Sequence, residues 1–454
     1  MESKVLDSLQ QRISACCSIY EKYSWLLNCY VLDFFTENHW NKLLTNWQIS
    51  LKDLSSADIS QLLDYEGHMR GKTWPLSIIA LKRILISLSL SRKMINLPIE
   101  NPYFTKDEKL LQLFWKNVKA KKRHEISIMS KICYDSALKT DCFYIVDIGS
   151  GLGHLSRMLN YGYGFKVCTI EAQASFSQQA RNLDAEFEVV LERKFKGCLK
   201  YNKSVHIHKR ILSTITAAEF VDIVKKAFKI ENENFKFGIV GLHPCGDLGA
   251  TLLKLYNECD KVQFINIVGC CYMKLTTLPE SNCGFPLSKF CKTNKYDLSY
   301  HSREIACHAI ENYIDKLRKN ECWRLKIHTY RAALEKIITK KCPDYHHCAL
   351  NNVKYTEDLT FESYCKKATK KLKMDFSQDK LESAEIEGLL KQWKEVVVFY
   401  SLRLLFAPLI ESIILLDRFM FVVESGSIGE ILPVFDAKIS PRTHVLTARK
   451  SEIM

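Results

Sequence analysis

The run Asp147-Ile148-Gly149-Ser150-Gly151-Leu152-Gly153 packs the most chemistry into the least chain. An acid leads three alternate glycines, directly after a short apolar segment. Such a turn is a nucleotide-binding device, because glycine lets the backbone approach a ligand and the helix it opens offers free N–H groups. Two cofactor classes compete for it. A dinucleotide fingerprint wants glycine at the first, third and sixth positions. Counted from Gly149, the sixth is His154, whose side chain would crowd a pyrophosphate. The set Asp147, Gly149, Gly151 and Gly153 fits S-adenosylmethionine instead. The carboxylate can engage the methionine amino group, directly or through water, and no pyrophosphate needs room. Glu171 ends a second apolar run, where a carboxylate can accept both ribose hydroxyls. Its bland alternative is a helix-capping or surface acid.

Gly241-Leu242-His243-Pro244-Cys245-Gly246-Asp247-Leu248 supplies the next group of reactive side chains. Methyl transfer is an in-line displacement, so a site for it mainly positions a nucleophile and excludes water. His243 can orient or deprotonate an acceptor near neutral pH. Asp247 is a second candidate base, or the cap of a following helix. Cys245 borders the acceptor or simply packs. The Asp/Asn-Pro-Pro-Tyr/Phe motif of exocyclic-amine methylation is absent from this loop.

Gly269-Cys270-Cys271-Tyr272-Met273-Lys274 has adjacent thiols without clear zinc spacing, which reads as pocket lining. Cys342-Pro343-Asp344-Tyr345-His346-His347-Cys348 holds ligand-type residues, again without regular spacing, so no metal is expected. Within Lys121-Lys122-Arg123-His124-Glu125-Ile126, His124 and Glu125 are candidate pocket residues at the cofactor's methionine end. The basic triplet either meets phosphate or forms a solvated helix face.

The elements that must position these residues alternate in type. Apolar, β-branched runs at 143–148, 166–171, 204–212, 237–242 and 262–268 read as strands. Helical patterns at about 154–161, 175–194 and 302–319 fall between or after them. That alternation predicts a parallel sheet covered on both faces. Two last strands, 430–435 and 444–449, flank Ser440-Pro441 and would close the sheet with an antiparallel edge. The expectation is an α/β, Rossmann-like fold with a seven-stranded, mostly parallel sheet. Residues 1–120 form a helical N-terminal region, with helical patterns at 34–47 and 78–95 and breaks at 55–58 and 98–102. Residues 121–454 form the catalytic domain, with a polar helical insertion at about 320–395.

Composition bounds the rest. The chain has 454 residues, 47% hydrophobic and 26% charged, which suits a globular protein of two or three units. A net charge of +14 favours a polyanionic partner such as RNA. The excess sits in stretches such as 119–123 and 366–373, which also read as solvated helix faces. The 18 scattered cysteines read as reduced thiols of a cytoplasmic or nuclear protein, and the N-terminus has no apolar secretory core. The apolar stretch 396–423 contains Arg403, Glu411, Asp417 and Arg418, so a buried helix is expected there and no membrane span.

The segments 121–126, 146–156, 242–248, 268–275 and 441–450 resemble the methyltransferase-like protein 25 family, which includes a protein named for a ribosomal RNA adenine dimethylase domain. The likeness runs from about residue 100 to the C-terminus, and its motifs His-Pro-Cys-Gly-Asp and Gly-Cys-Cys-Tyr are fairly specific. It implies a class I methyltransferase domain. Met273 departs from the pattern, where a His is expected in many relatives. The His-x-Cys-Gly loop is also similar to that of a tRNA 2′-O-methyltransferase family, which adds to the lean toward RNA. The expected activity is methyl transfer from S-adenosylmethionine to a macromolecule. The alternatives are a non-catalytic scaffold that docks a protein partner through its N-terminal helices and, more remotely, a dehydrogenase.

Overall fold

The computed structural model describes residues 2–97, 107–116, 118–195, 202–280, 282–319, 321–372, 381 and 383–451. The expected break at 98–102 lies outside them, as does the end of the basic stretch 366–373.

Seven strands form one sheet: β1 Tyr144–Ile148, β2 Lys166–Glu171, β3 Val205–His208, β4 Phe237–Cys245, β5 Val262–Cys270, β6 Ile428–Pro433 and β7 His444–Arg449. Their order is β3-β2-β1-β4-β5-β7-β6. The first five pair in parallel, and β7 runs antiparallel to both β5 and β6. The predicted sheet and its antiparallel edge are both present. Along β1, Ile145 joins one apolar cluster with Val167, Val240 and Phe264, while Val146 and Ile148 join another with Ile170, Ile239 and Ile265. Neighbouring strand residues point to opposite faces, so these are the two covered faces that make the strands continuously apolar. Strand order reverses between β1 and its neighbours β2 and β4, and ligands of open α/β sheets bind at that switch point, beyond the carboxyl ends of the strands.

The chain divides into two compact units. The first comprises 1–17, 90–298 and 411–454, and the second 18–89 and 299–410. This corrects the expected division into a 1–120 region and a catalytic domain with an insertion. The reason is burial. In the second unit His39 stacks on Phe399, and Phe35 packs on the cluster of Leu334, Phe361 and Leu389. The apolar faces of the early helices and of the polar segment complete one another. Trp47 is buried there and donates to Ser77 Oγ at 2.8 Å.

Several expected helices are shorter or broken. The 34–47 pattern resolves into the 3-10 turns Val31–Phe34 and His39–Lys42, then the helix Thr45–Leu51, because Asn38 takes a left-handed φ of 50°. The 302–319 pattern splits into Tyr300–Ile305 and Ile310–Arg318. The stretch Trp393–Val423 is long and apolar enough to cross a membrane, yet 94% of its most apolar window is buried within the protein. It is a helix pair, Trp393–Leu404 and Ala407–Val423. Glu411 in the second helix is held by Arg92 at 2.6 Å, Arg442 at 2.8 Å and the Tyr272 hydroxyl at 3.1 Å.

Candidate active site at the carboxyl ends of the strands

The glycine loop leaves β1 with Gly149, Gly151 and Gly153 all in the left-handed region, at φ 72°, 57° and 68°. Other residues take that conformation only with strain, so the loop path demands these glycines. A Cβ on Gly151 would meet nothing within 4 Å, while one on Gly149 would meet Leu248 Cδ2 at 3.5 Å. The first opens on free space, and the second lies against the helix that follows β4.

Glu171 reaches back from the end of β2. Its Oε2 accepts from the Gly151 amide at 2.8 Å and its Oε1 from the Gln173 amide at 2.9 Å. Each oxygen keeps a second acceptor direction for a ribose hydroxyl. Asp147 is fully buried and accepts from Ser156 Oγ at 2.5 Å. Burial pushes its carboxyl up to about 6, against the lowering effects of Ser156 and Lys122. Ser150 Oγ in the loop is buried without a partner among the described residues. An orphaned hydroxyl, an open glycine and two inward carboxylates suit a nucleoside with a charged amino-acid tail. These residues therefore fit S-adenosylmethionine.

A network behind the loop stiffens it. Arg157 donates to Asp184 at 2.6 Å and to the Leu152 carbonyl at 3.3 Å, and His206 Nε2 lies 2.9 Å from Asp184. His154 packs against Arg157 at 3.1 Å and is held well below its ordinary value, at about 4, by burial and then by that guanidinium. It stays neutral at physiological pH. A cavity of about 370 Å³ lies beside this network, lined by Leu113, Leu152, Arg157 and Phe187 among others.

The structure redistributes the remaining predicted site residues. His243 stands on an irregular stretch of β4, where the register with β5 shifts between Leu242 and Cys245, and it takes a φ of 70°. Irregular strand ends of this kind re-aim side chains near active sites. Its Nε2 lies 3.0 Å from Glu125 Oε1, close but not in line for a hydrogen bond. Glu125 is buried on the helix Ala120–Lys139. Burial raises its carboxyl, but His243, the Ser440 hydroxyl at 2.6 Å and Lys121 at 3.7 Å outweigh this and hold it below its ordinary value. Glu125 is thus an ionised partner of His243, a role the sequence reading did not give it. Nothing local in the sequence links positions 125, 243 and 440.

His124 does not reach the pocket. Its Nε2 accepts from the Asp436 amide at 3.0 Å, which braces the segment after β6. Arg123 of the basic triplet spends its donors on the carbonyls of Val118 and Trp115, at 2.7 and 2.8 Å. Asp247 is removed from the candidate bases. Its two oxygens take the Thr276 amide and hydroxyl, both at 2.9 Å, and it is the first residue of the helix Asp247–Glu258 rather than its cap.

Cys245 is not a bystander. Its Sγ lies 3.2 Å from Cys270 Sγ and 3.3 Å from Cys271 Sγ. The Cys270 thiol, joined by Cys271, His243 and Lys274, lowers the Cys245 thiol to about 5 against the opposing effect of burial. Cys270 is pushed up in turn, chiefly by the same hydrogen bond. Cys245 is thereby biased toward the thiolate and Cys270 toward the thiol, a pairing able to hold a soft metal ion or to react as a nucleophile.

Residues 121–278 match a family model described as a methyltransferase domain. The chain is 30% identical over 290 residues to a human probable methyltransferase-like protein 25, covering 61% of this chain and 46% of that one. The mouse counterpart is 28% identical over 231 residues, covering 47% and 37%. The chain therefore spans less than half the length of these relatives. Among solved structures, a magnesium protoporphyrin IX methyltransferase from Synechocystis, with S-adenosylhomocysteine bound, is 15% identical at a TM-score of 0.21 and covers 36% of this chain and 68% of that one. A plantazolicin methyltransferase, also holding S-adenosylhomocysteine, is 12% identical at a TM-score of 0.22 and covers 63% and 83%. Likenesses this low carry no chemistry across.

Proposed function

We propose that this relative of methyltransferase-like protein 25, with its methyltransferase domain at 121–278, transfers a methyl group from S-adenosylmethionine to a macromolecule, RNA being the favoured class. One observation carries the reading. The acid-led glycine loop, with Glu171 against it, opens at the sheet's switch point, and an ionised Glu125 backs His243 at the end of β4.

Bound there, S-adenosylmethionine supplies a methyl group made electrophilic by its sulfonium. Asp147 would hold the amino group of its methionine tail, and Glu171 its ribose hydroxyls. His243 takes the proton from the attacking atom of the acceptor. Glu125 turns the imidazole toward that atom and stabilises the imidazolium that forms, so it is a positioning residue. The net charge of +14 supports a phosphate-bearing acceptor.

Calorimetric titration with S-adenosylhomocysteine tests the cofactor site. Gly151→Arg is expected to abolish binding without unfolding the protein, and unchanged binding would refute the assignment. Labelled S-adenosylmethionine offered with cell RNA or with protein extract tests the acceptor. Glu125→Gln is expected to lower kcat by roughly 10²–10⁴-fold and to leave S-adenosylhomocysteine affinity intact. Label entering protein alone would displace RNA. Binding without transfer to either would favour the scaffold reading.

A further inference from the structure

Three segments, one of them far from the other two in sequence, converge inside the second unit. Asp33 sits in the 3-10 turn Val31–Phe34 and Glu335 in the helix Lys326–Lys341, while His346 and His347 follow the 3-10 turn Pro343–Tyr345. His346 Nε2 lies 3.0 Å from Asp33 Oδ1, and His347 Nε2 lies 2.9 Å from both Asp33 oxygens. Glu335 Oε1 is 3.9 Å from His346 Nε2. One atom from each of the four residues falls within 4.8 Å of all the others. A tetrahedron with metal–ligand arms of about 2.0–2.1 Å has edges of about 3.3–3.4 Å. The observed spacings bracket that value.

Proton-linked pairing alone leaves two features unexplained. Glu335 is 0% exposed, and its Oε1 takes the His347 amide at 2.7 Å while its Oε2 is buried with no partner among the described residues. A buried carboxylate oxygen left bare is costly. The two imidazole rings stack with centroids 3.7 Å apart, a spacing at which two imidazolium cations repel. Neutral rings in the Nε2–H tautomer can each donate to Asp33, but that pairing leaves Glu335 Oε2 bare. A cation between the rings and the acids gives Glu335 Oε2 a counter-charge. Finally, His347 takes a left-handed φ of 59°, strain that persists where surroundings fix the residue's direction.

We propose that Asp33, Glu335, His346 and His347 bind a divalent transition-metal ion of the zinc class, which clamps the two stretches of chain that build the second unit. Two imidazole nitrogens and two carboxylate oxygens suit zinc and its neighbours rather than a soft ion or calcium. With four protein ligands the site is closed, so its role is structural. The ion ties together positions 313 residues apart, where a cross-link restricts the unfolded chain strongly. The clamp stands independently of the methyl-transfer reading.

The test uses the full chain purified from zinc-replete culture, with metal content read by plasma mass spectrometry and stability by thermal melting. About one zinc-class ion per chain is expected. A strong chelator should lower Tm, and added Zn²⁺ should restore it. The paired variant His346→Gln/His347→Gln should lose the ion and melt low, with no response to chelator. Both side chains are part-exposed, at 43% and 35%, so the substitution leaves the core packing in place. A control variant, Cys245→Ser/Cys271→Ser, should keep the ion. A metal-free wild type whose Tm ignores added Zn²⁺ would overturn the proposal. So would an ion retained by the histidine variant and lost from the cysteine variant, since that result places it on the thiol cluster.

Discussion

Asp147, proposed above to serve binding, works against folding. Its carboxyl is raised by burial to about 6 in the folded protein, from an ordinary 3.8. Between those values the folded state holds a proton that the unfolded chain has released, so stability falls as pH rises through that window and the penalty is complete above it. The shift corresponds to on the order of 3 kcal/mol. Asp147→Asn keeps an acceptor for Ser156 and carries no charge. We expect it to melt higher than wild type at neutral pH without ligand, yet to bind S-adenosylhomocysteine more weakly. Wild-type affinity should fall below about pH 6, and the variant should show a flat profile. A variant that binds as tightly as wild type would remove Asp147 from the site. Cys245 gives a second prediction at this scale. With its thiol near 5 and its side chain exposed, it should be the first cysteine alkylated by iodoacetamide at mildly acidic pH. Peptide mapping that finds another cysteine labelled first would contradict the thiolate.

At the scale of elements, the pairing of β4 with β5 decides where the reactive loops emerge. Gly238 sits opposite Phe264 in that register, and a Cβ placed there would lie 2.1 Å from the Phe264 ring. Phe264 is fully buried, so it has little room to yield. Gly238→Ala should destabilise the protein by about 1–3 kcal/mol, read as a lower midpoint in urea with an unchanged slope. An unshifted midpoint would mean that the ring moves freely and the register is soft. The sequence marked β4 and β5 well, because buried parallel strands are nearly continuous apolar runs. It did not mark the irregular end of β4, since a register shift depends on the partner strand rather than on local composition.

For the whole molecule, the two units are each assembled from separated stretches of chain. The family match ends at residue 278, but the sheet does not, because β6 and β7 come from the last stretch. A chain cut after Leu298 would leave the antiparallel side of β5 unpaired and uncover its apolar faces. Such edges recruit other chains. We expect that fragment to aggregate on size-exclusion chromatography, and a monodisperse, cofactor-binding fragment would show that β7 is dispensable. The sequence reading took the first 120 residues for one region and 320–395 for an insertion. Patterning reports that a helix has an apolar face, but not which distant helix covers it.

What the chain alone determined was therefore local: the strand runs, the acid-led glycine turn, Glu171 at the second strand end and the His-Pro-Cys-Gly loop. Each is set by residue type and short spacing, through steric limits on the backbone and the period of side-chain burial. Only the tertiary structure decided that Glu125 serves His243, that Asp247 is bound to Thr276, that three thiols meet, and that Asp33 joins two histidines 313 and 314 residues away. Contacts of that kind arise when separate apolar faces seek cover from water. That process is non-directional along the chain, and short-range pattern does not record it.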